Sequence, residues 1–278
     1  MIQSQKTSEI RTKKVTIEKR LADKIQDVLQ SYPKALEIFQ LMENDIEIQT
    51  LLEDSNTMTM GRLGYSDHGH VHSLITTLHA ITLLRYLKDK PPTVVEEGCG
   101  DFEDSMLVVT AATYLHDIGQ AIHRDKHYEW SVMLARPILD RILIEIYPNL
   151  KKRIKIRNHI LHAIYAHDKN TVALTIEAGL VGVADALDMT KGRARITFSS
   201  GMVNIHSASA MAINRVKIRK GDNKPIMIEI FMSNMAGLFQ VQELLAAKIK
   251  SSKKIRDEIE IVAHVMGEDE KVIDLSIN

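Results

Sequence analysis

Residues 105–119 read Ser-Met-Leu-Val-Val-Thr-Ala-Ala-Thr-Tyr-Leu-His-Asp-Ile-Gly. The first eleven are apolar or small on every side and predict a helix buried all round, at the centre of the fold. His116 and Asp117 stand at its C-terminal end, and Gly119 reads as the helix stop. Upstream, Val71, Leu74, Ile75, Leu78 and Ile81 recur at helical spacing on a helix that begins near His70. Downstream, helices are expected over Tyr128–Ile146, closed by Tyr147-Pro148, over Ile154–Ala166, and over Thr171–Met189. In the last of these, Gly179 and Gly182 allow a neighbour to approach closely.

Lys88–Asp104 holds Pro91-Pro92, Gly98 and Gly100 among acidic residues, and reads as a long loop with the composition of a mobile one. The first part of the chain predicts helices over Thr16–Gln30 and Pro33–Met42, with Pro33 at a first helical position. A third, Asp45–Arg62, has Ile46, Ile48, Leu51 and Leu52 as its apolar side. After Gly192 the character changes. Ala210–Arg219 and Pro225–Met232 flank Lys220-Gly221-Asp222-Asn223, which is turn chemistry, so a β-hairpin is expected. A helix over Gly237–Lys250 and a strand over Glu258–Met266 follow. The expected fold is mainly α with a small C-terminal α+β segment. Three parts are expected: N-terminal helices (1–62) packing on a core, a helical domain (63–195), and the α+β segment (196–278).

Over 278 residues, 36 Lys and Arg balance 36 Asp and Glu, so the formal net charge is zero. A partner of long nucleic acid normally demands a basic excess, and none is expected. Cys99 is the single cysteine, which excludes an intrachain disulfide and suits a reducing, cytoplasmic setting. The polar start MIQSQKTSEIRTKK carries no signal-peptide pattern. No apolar run approaches the ~20 residues of a membrane span. Ile226, Ile228 and Ile230 alternate along the hairpin, and hairpin edges invite pairing, which keeps a homo-oligomer open.

Histidines and aspartates concentrate between residues 68 and 188. His72, His116, Asp117, His127, His167 and Asp185 each fall near a helix end or on a face able to converge on one point. An adjacent His-Asp pair offers an imidazole and a carboxylate to one ion, and a carboxylate can bridge two. Asp185 lies in Leu180-Val181-Gly182-Val183-Ala184-Asp185-Ala186-Leu187, where a buried carboxylate needs a partner, and a metal is one of the best. Against this, His127 and His167-Asp168 also read as ordinary loop and helix-end residues.

The ordered series resembles the HD-domain superfamily of metal-dependent phosphohydrolases. Its parts are His72-Ser73-Leu74-Ile75, Tyr114-Leu115-His116-Asp117-Ile118-Gly119, His127-Tyr128-Glu129-Trp130-Ser131, Ile164-Tyr165-Ala166-His167 and Val183-Ala184-Asp185-Ala186-Leu187-Asp188. Five motifs in the right order are far more specific than one. The resemblance implies an HD-type helical bundle and one or two divalent ions, with Mn, Fe, Zn, Ni, Co and Mg not distinguished. The residues matching His72, His116, Asp117 and Asp185 would hold the first ion. His127 and His167 would hold a second, with Asp117 bridging. The Gly-Tyr-Pro tripeptide of the cyclic-dinucleotide branch is missing, and Ala166-His167 replaces paired histidines.

The implied reaction is hydrolysis of a phosphate ester of a nucleotide or another small phosphorylated molecule by a metal-activated hydroxide. Asp117 is the central catalytic candidate. His68 and His123 are the acid candidates, His68 also being an alternative ligand. Arg124, Lys191, Arg193 and Arg195 are candidates for the phosphate oxygens. Asp188, one turn past Asp185, is placed to orient a ligand. His70 is expected to face solvent, His79 to be a core or surface residue, and His159 and His162 to be structural. Two other classes compete: a di-iron HD-type oxygenase and a non-catalytic nucleotide-sensing module.

Overall fold

The computed structural model describes residues 17–192, 209–266 and 271–274. Helix α1 (residues 17–29) and α2 (Pro33–Glu43) lead into α3 (Ile46–Asn56), which runs on into a π-helical turn, Thr57–Arg62. Then come α4 (His70–Tyr86), the short α5 (Thr93–Glu96) and α6 (Phe102–Leu115), followed by a 3-10 turn, Ile118–Ala121. Helices α7 (His127–Ile146), α8 (Leu150–Tyr165) and α9 (Ile176–Leu187) complete the bundle. Strands β1 (Ile213–Lys220) and β2 (Ile226–Met232) precede α10, built from Gly237–Gln240, a π-helical turn Val241–Ala246, and Ala247–Ser251. Strands β3 (Ile259–Val265) and β4 (Lys271–Asp274) close the order. The fold is the expected one: a helical bundle with a small C-terminal α+β segment.

Helix α6 is the hub. Every residue from Asp104 to Leu115 is buried, as its uniformly apolar sequence predicts. It packs on α2, α4, α8 and α9. Its start is fixed by a capping box, Asp101 accepting from Asp104 N–H and Asp104 from Asp101 N–H. Asp104 is fully buried and also accepts from Lys34 Nζ at 2.9 Å, Lys152 Nζ at 2.8 Å and Tyr147 Oη at 2.6 Å. Burial opposes its charge, but these donors outweigh it and bring its pKa down to about 2. A lowered carboxylate pKa adds stability above the unfolded value near 3.8 and loses it as pH falls through the folded one. Asp104→Asn is therefore expected to cost about 2 kcal/mol at pH 7. The gap from wild type should close between about pH 5 and 2 in urea melts, whereas a pH-independent gap would contradict the assignment.

The segment Lys88–Asp104 is not the free loop its composition suggests. Its middle forms α5, and that turn is tied to α9. Glu177, fully buried, accepts from Val94 N–H at 3.0 Å and from Ser105 Oγ at 3.0 Å, while Thr93 Oγ1 accepts from Ile176 N–H at 2.9 Å. Three other expectations are corrected. Ile46 is 84% exposed, because Asp45 caps α3 and leaves its first residue outside the packed face. His70 is half-buried, with Glu43 at 2.8 Å and Glu18 at 3.6 Å, and these carboxylates outweigh its burial and raise its pKa to about 9. Helix α9 begins only at Ile176, where Thr175 supplies the N-cap, so residues 171–175 are not helical.

The strands form one sheet of order β1-β2-β3-β4, with β1/β2 and β3/β4 antiparallel and β2/β3 parallel. The hairpin is present, but β2 lies inside the sheet and Ile226, Ile228 and Ile230 are buried in the core. The edge pairing expected of that strand is already used by β3. Among the described residues, no helix is long and apolar enough to cross a membrane.

Candidate metal centre

Four imidazoles meet between α4, the α6 C-terminus, the α7 N-terminus and the α8 C-terminus, and each is tied outward through Nδ1. His72 Nδ1 faces Asp188 Oδ2 at 2.6 Å. His116 Nδ1 donates to Thr113 O at 2.7 Å, His127 Nδ1 to Arg124 O at 3.1 Å and His167 Nδ1 to Ile164 O at 2.6 Å. A carbonyl only accepts, so the proton sits on Nδ1 and the Nε2 lone pair points inward. The inward nitrogens lie close together: His72 and His116 at 3.2 Å, His127 and His167 at 3.0 Å. Lone pairs facing each other at these distances repel, and a cation between them removes the repulsion.

Two carboxylates complete the arrangement. Asp117 Oδ2 lies 3.4 Å from His72 Nε2 and 3.6 Å from His116 Nε2. Asp185 Oδ1 is 3.3 Å and 3.7 Å from the same two nitrogens. The other oxygen of Asp117, Oδ1, is 3.3 Å from His127 Nε2 and 3.9 Å from His167 Nε2. Donors placed ~2.0–2.2 Å from one ion in tetrahedral array stand about 3.3–3.6 Å apart. The set therefore fits one ion between His72, His116, Asp117 and Asp185, and offers three donors for a second, with Asp117 facing both.

The electrostatics suit ligands. Burial resists the charge on Asp117, but His116, His68 and His72 hold its pKa well below the usual carboxylate range. Asp185 is held low in the same way by Lys248, His116 and His72. Burial is the main cause that lowers His127 and strongly lowers His167, with Arg124 adding to the first and Lys248 to the second, which favours neutral imidazoles at pH 7. Ionised carboxylates and neutral imidazoles are the metal-binding forms.

Local sequence explains the convergence. Gly119 matters not as the helix stop, since α6 already ends at Leu115, but as the point where α7 crosses the signature turn. A Cβ there would sit 2.2 Å from His127 O and 2.3 Å from Ser131 N. Ser131 Oγ accepts from Gly119 N–H at 2.9 Å, which locks His127 beside Asp117.

Of the expected residues, His68, His72, His116, Asp117, His127, His167 and Asp185 come together. His68 Nδ1 is 2.7 Å from Asp117 Oδ2. His123 does not join them: its side chain is 60% exposed and its Nδ1 accepts from Asp125 N–H at 3.0 Å. Arg124 lies at the rim, over the Tyr65 ring at 5.9 Å. It lines an open cleft of about 380 Å3 with Asp125, Lys126, His127, Tyr128, Asp168 and Asn170. Lys191 turns to Asn214, donating to its Oδ1 at 2.9 Å. Arg193 and Arg195 lie outside the described residues. Asp188 lies against the His72 imidazole, its Oδ2 2.6 Å from His72 Nδ1, and so sets the orientation of that ring. Asp188→Asn is expected to weaken metal binding by roughly 10- to 100-fold in a competitive chelator titration, with the folded baseline preserved.

Two residues at the centre carry no local sequence signal. Lys248, on α10, is 8% exposed; its Nζ donates to Asp185 Oδ2 at 2.8 Å and to His167 O. Its stem packs against Gly182 of α9, Cδ standing 3.6 Å from where a Cβ would be, an ordinary van der Waals contact. Gln120 is fully buried, with Nε2 3.1 Å from His68 Nδ1 and an Oε1 that has no partner among the described residues.

The helical bundle and the ordered ligand series define the class, and a family model described as HD domain matches residues 70–190. The chain is also 44% identical over 242 residues to the uncharacterized protein MJ1020 of Methanocaldococcus jannaschii, covering 86% of this chain and 92% of that one. The chain belongs to the HD-domain family, a superfamily of metal-dependent phosphohydrolases. No solved structure matches it.

Proposed function

We propose that this protein hydrolyses a phosphate ester of a nucleotide or another small phosphorylated molecule, using two divalent ions that share Asp117. The carrying observation is the inward convergence of four Nδ1-tethered imidazoles on Asp117 and Asp185. His72, His116, Asp117 and Asp185 would hold one ion, and His127, His167 and Asp117 the other. Bound divalent metal supplies a Lewis acid and a water of lowered pKa. A mixed imidazole and carboxylate set suits Mn, Fe, Co, Ni or Zn better than the all-oxygen shell Mg prefers.

The chain's own residues position the substrate. The cleft beside His127 has the volume of a small-molecule site, and its rim carries the cations Arg124 and Lys126. These neutralise non-bridging phosphate oxygens. Tyr128, in the same cleft, offers an aromatic face. His68 is the stronger acid-base candidate, since it is buried against Asp117 whereas His123 is exposed. Lys191, Arg193 and Arg195 remain candidates for a second phosphate contact.

The test is a turnover screen on metal-stripped protein reloaded with Mn, Co, Ni or Mg, against nucleotides, cyclic nucleotides and a generic phosphodiester. Metal-dependent release of phosphate or nucleotide is expected. Oxygen uptake by the iron-loaded protein without phosphate release would instead identify the oxygenase class. Nucleotide binding without product would identify a sensing module.

A further inference from the structure

Away from the centre just described, a second group of unlike metal donors comes together. Glu97 caps the end of α5, Cys99 follows two residues later, and His159 lies on α8. One oxygen, one sulfur and one ring nitrogen from these residues all lie within 4.8 Å of one another. His159 Nε2 is 3.3 Å from Glu97 Oε2, the separation of two donors on one tetrahedral ion. Cys99 and His159 are each only 9% exposed, while the Glu97 side chain is 55% exposed. The site is thus closed on its thiol and imidazole side and open to solvent on the carboxylate side. Gly98, at φ 60°, reverses the chain between Glu97 and Cys99, so both donors reach α8.

We infer that Glu97, Cys99 and His159 form a separate site for one zinc-class divalent cation, with water completing its shell. A sulfur, nitrogen and oxygen set selects a borderline-soft ion and disfavours Mg or Ca. Cys99 binds as the thiolate, its proton leaving to solvent as the metal–sulfur bond forms. His159 stands six residues, about 9 Å of helix, before the end of α8 at Tyr165, and His167 lies beyond that end, so the ion is distinct from any held by Asp117. It would join the α5 turn, already tied to α9 through Val94 and Glu177, to α8. Neither the ligand series nor the hydrolytic reading uses these three residues, and the site stands whether or not that reading holds.

Cys99 is the single cysteine of the chain, which makes the test selective. Cobalt(II) is titrated into reduced, metal-stripped full-length protein and followed for the near-ultraviolet thiolate-to-cobalt charge-transfer band. The band should saturate at the intensity of one thiolate-bound cobalt per chain, beyond any cobalt taken up at the Asp117 centre, survive Asp117→Ala, vanish on adding zinc, and be absent in Cys99→Ser. His159→Ala should weaken the cobalt affinity read from this band by more than the roughly 10- to 100-fold that an outer-shell partner is worth. Circular dichroism identifies which variants remain folded, and Glu97→Gln, at an exposed side chain, supplies a mild second variant expected to weaken the band. Cobalt binding without the band, a band unchanged by both His159→Ala and Glu97→Gln, or one cobalt per two chains would each overturn the inference.

Discussion

Asp117→Ala is expected to abolish metal-supported turnover and to lower metal content at the same time. Asp117 faces both donor sets, Oδ2 toward His72 and His116 and Oδ1 toward His127 and His167. On the two-ion proposal its removal would take one donor from each ion and the negative charge they share. Losing an outer partner of a ligand costs roughly 10- to 100-fold, so losing a shared ligand should cost well over 100-fold in affinity. Turnover should fall by at least ~10^3, because the positions that stabilise transition-state charge go with the ions. The fold should hold: the variant relieves a buried charge, and His68 loses a partner. Elemental analysis of the purified variant and its residual rate check both parts. A variant that keeps two ions but loses turnover would leave Asp117 as a catalytic group without a ligand role.

Lys248→Met has the second large effect, and its size depends on metal. In metal-free protein, Asp185 Oδ2 loses its cation and His167 O its donor. Breaking a buried pair on one side costs about 3–5 kcal/mol. For a chain of this size that is a fall in melting temperature of roughly 10 °C. A bound ion supplies positive charge to Asp185 from the other side, so the deficit should shrink when metal is added. Metal should accordingly stabilise the variant by more than it stabilises wild type. Differential scanning calorimetry with and without Mn measures the difference. An equal loss in both conditions would mean that Lys248 contributes packing alone.

The candidate metal centre is legible in the sequence because each of its residues sits in a short local pattern. His116-Asp117 ends an all-apolar helix, and Asp185 stands in an apolar run where a carboxylate needs a partner. Lys248 was not legible. It follows Asp185 by 63 residues and reads as an ordinary lysine in Ala247-Lys248-Ile249-Lys250; the packing of α10 on α9 brings it in. Gln120 is hidden for the same reason, as one more residue in the turn after the signature.

The fold divides similarly. Periodicity carried α4, α6 and α7, where one apolar pattern decides the element. It misjudged Lys88–Asp104, because prolines and glycines describe local freedom while the buried Glu177, a distant residue, removes it. It located the strand at β3 but not its parallel pairing with β2, which depends on α10 carrying the chain back across the sheet. His70 looked solvent-facing because Glu18 and Glu43, which hold it, lie on other helices.

The most direct test of the central claim is phosphate release from the best substrate of the screen, measured as Mn is returned stepwise to stripped protein. The two-ion arrangement predicts no turnover without metal, and a rate that reaches its plateau at two equivalents per chain bound at the Asp117 centre. Equal turnover by the stripped protein, or two bound equivalents with no hydrolysis of any phosphate ester, would contradict it.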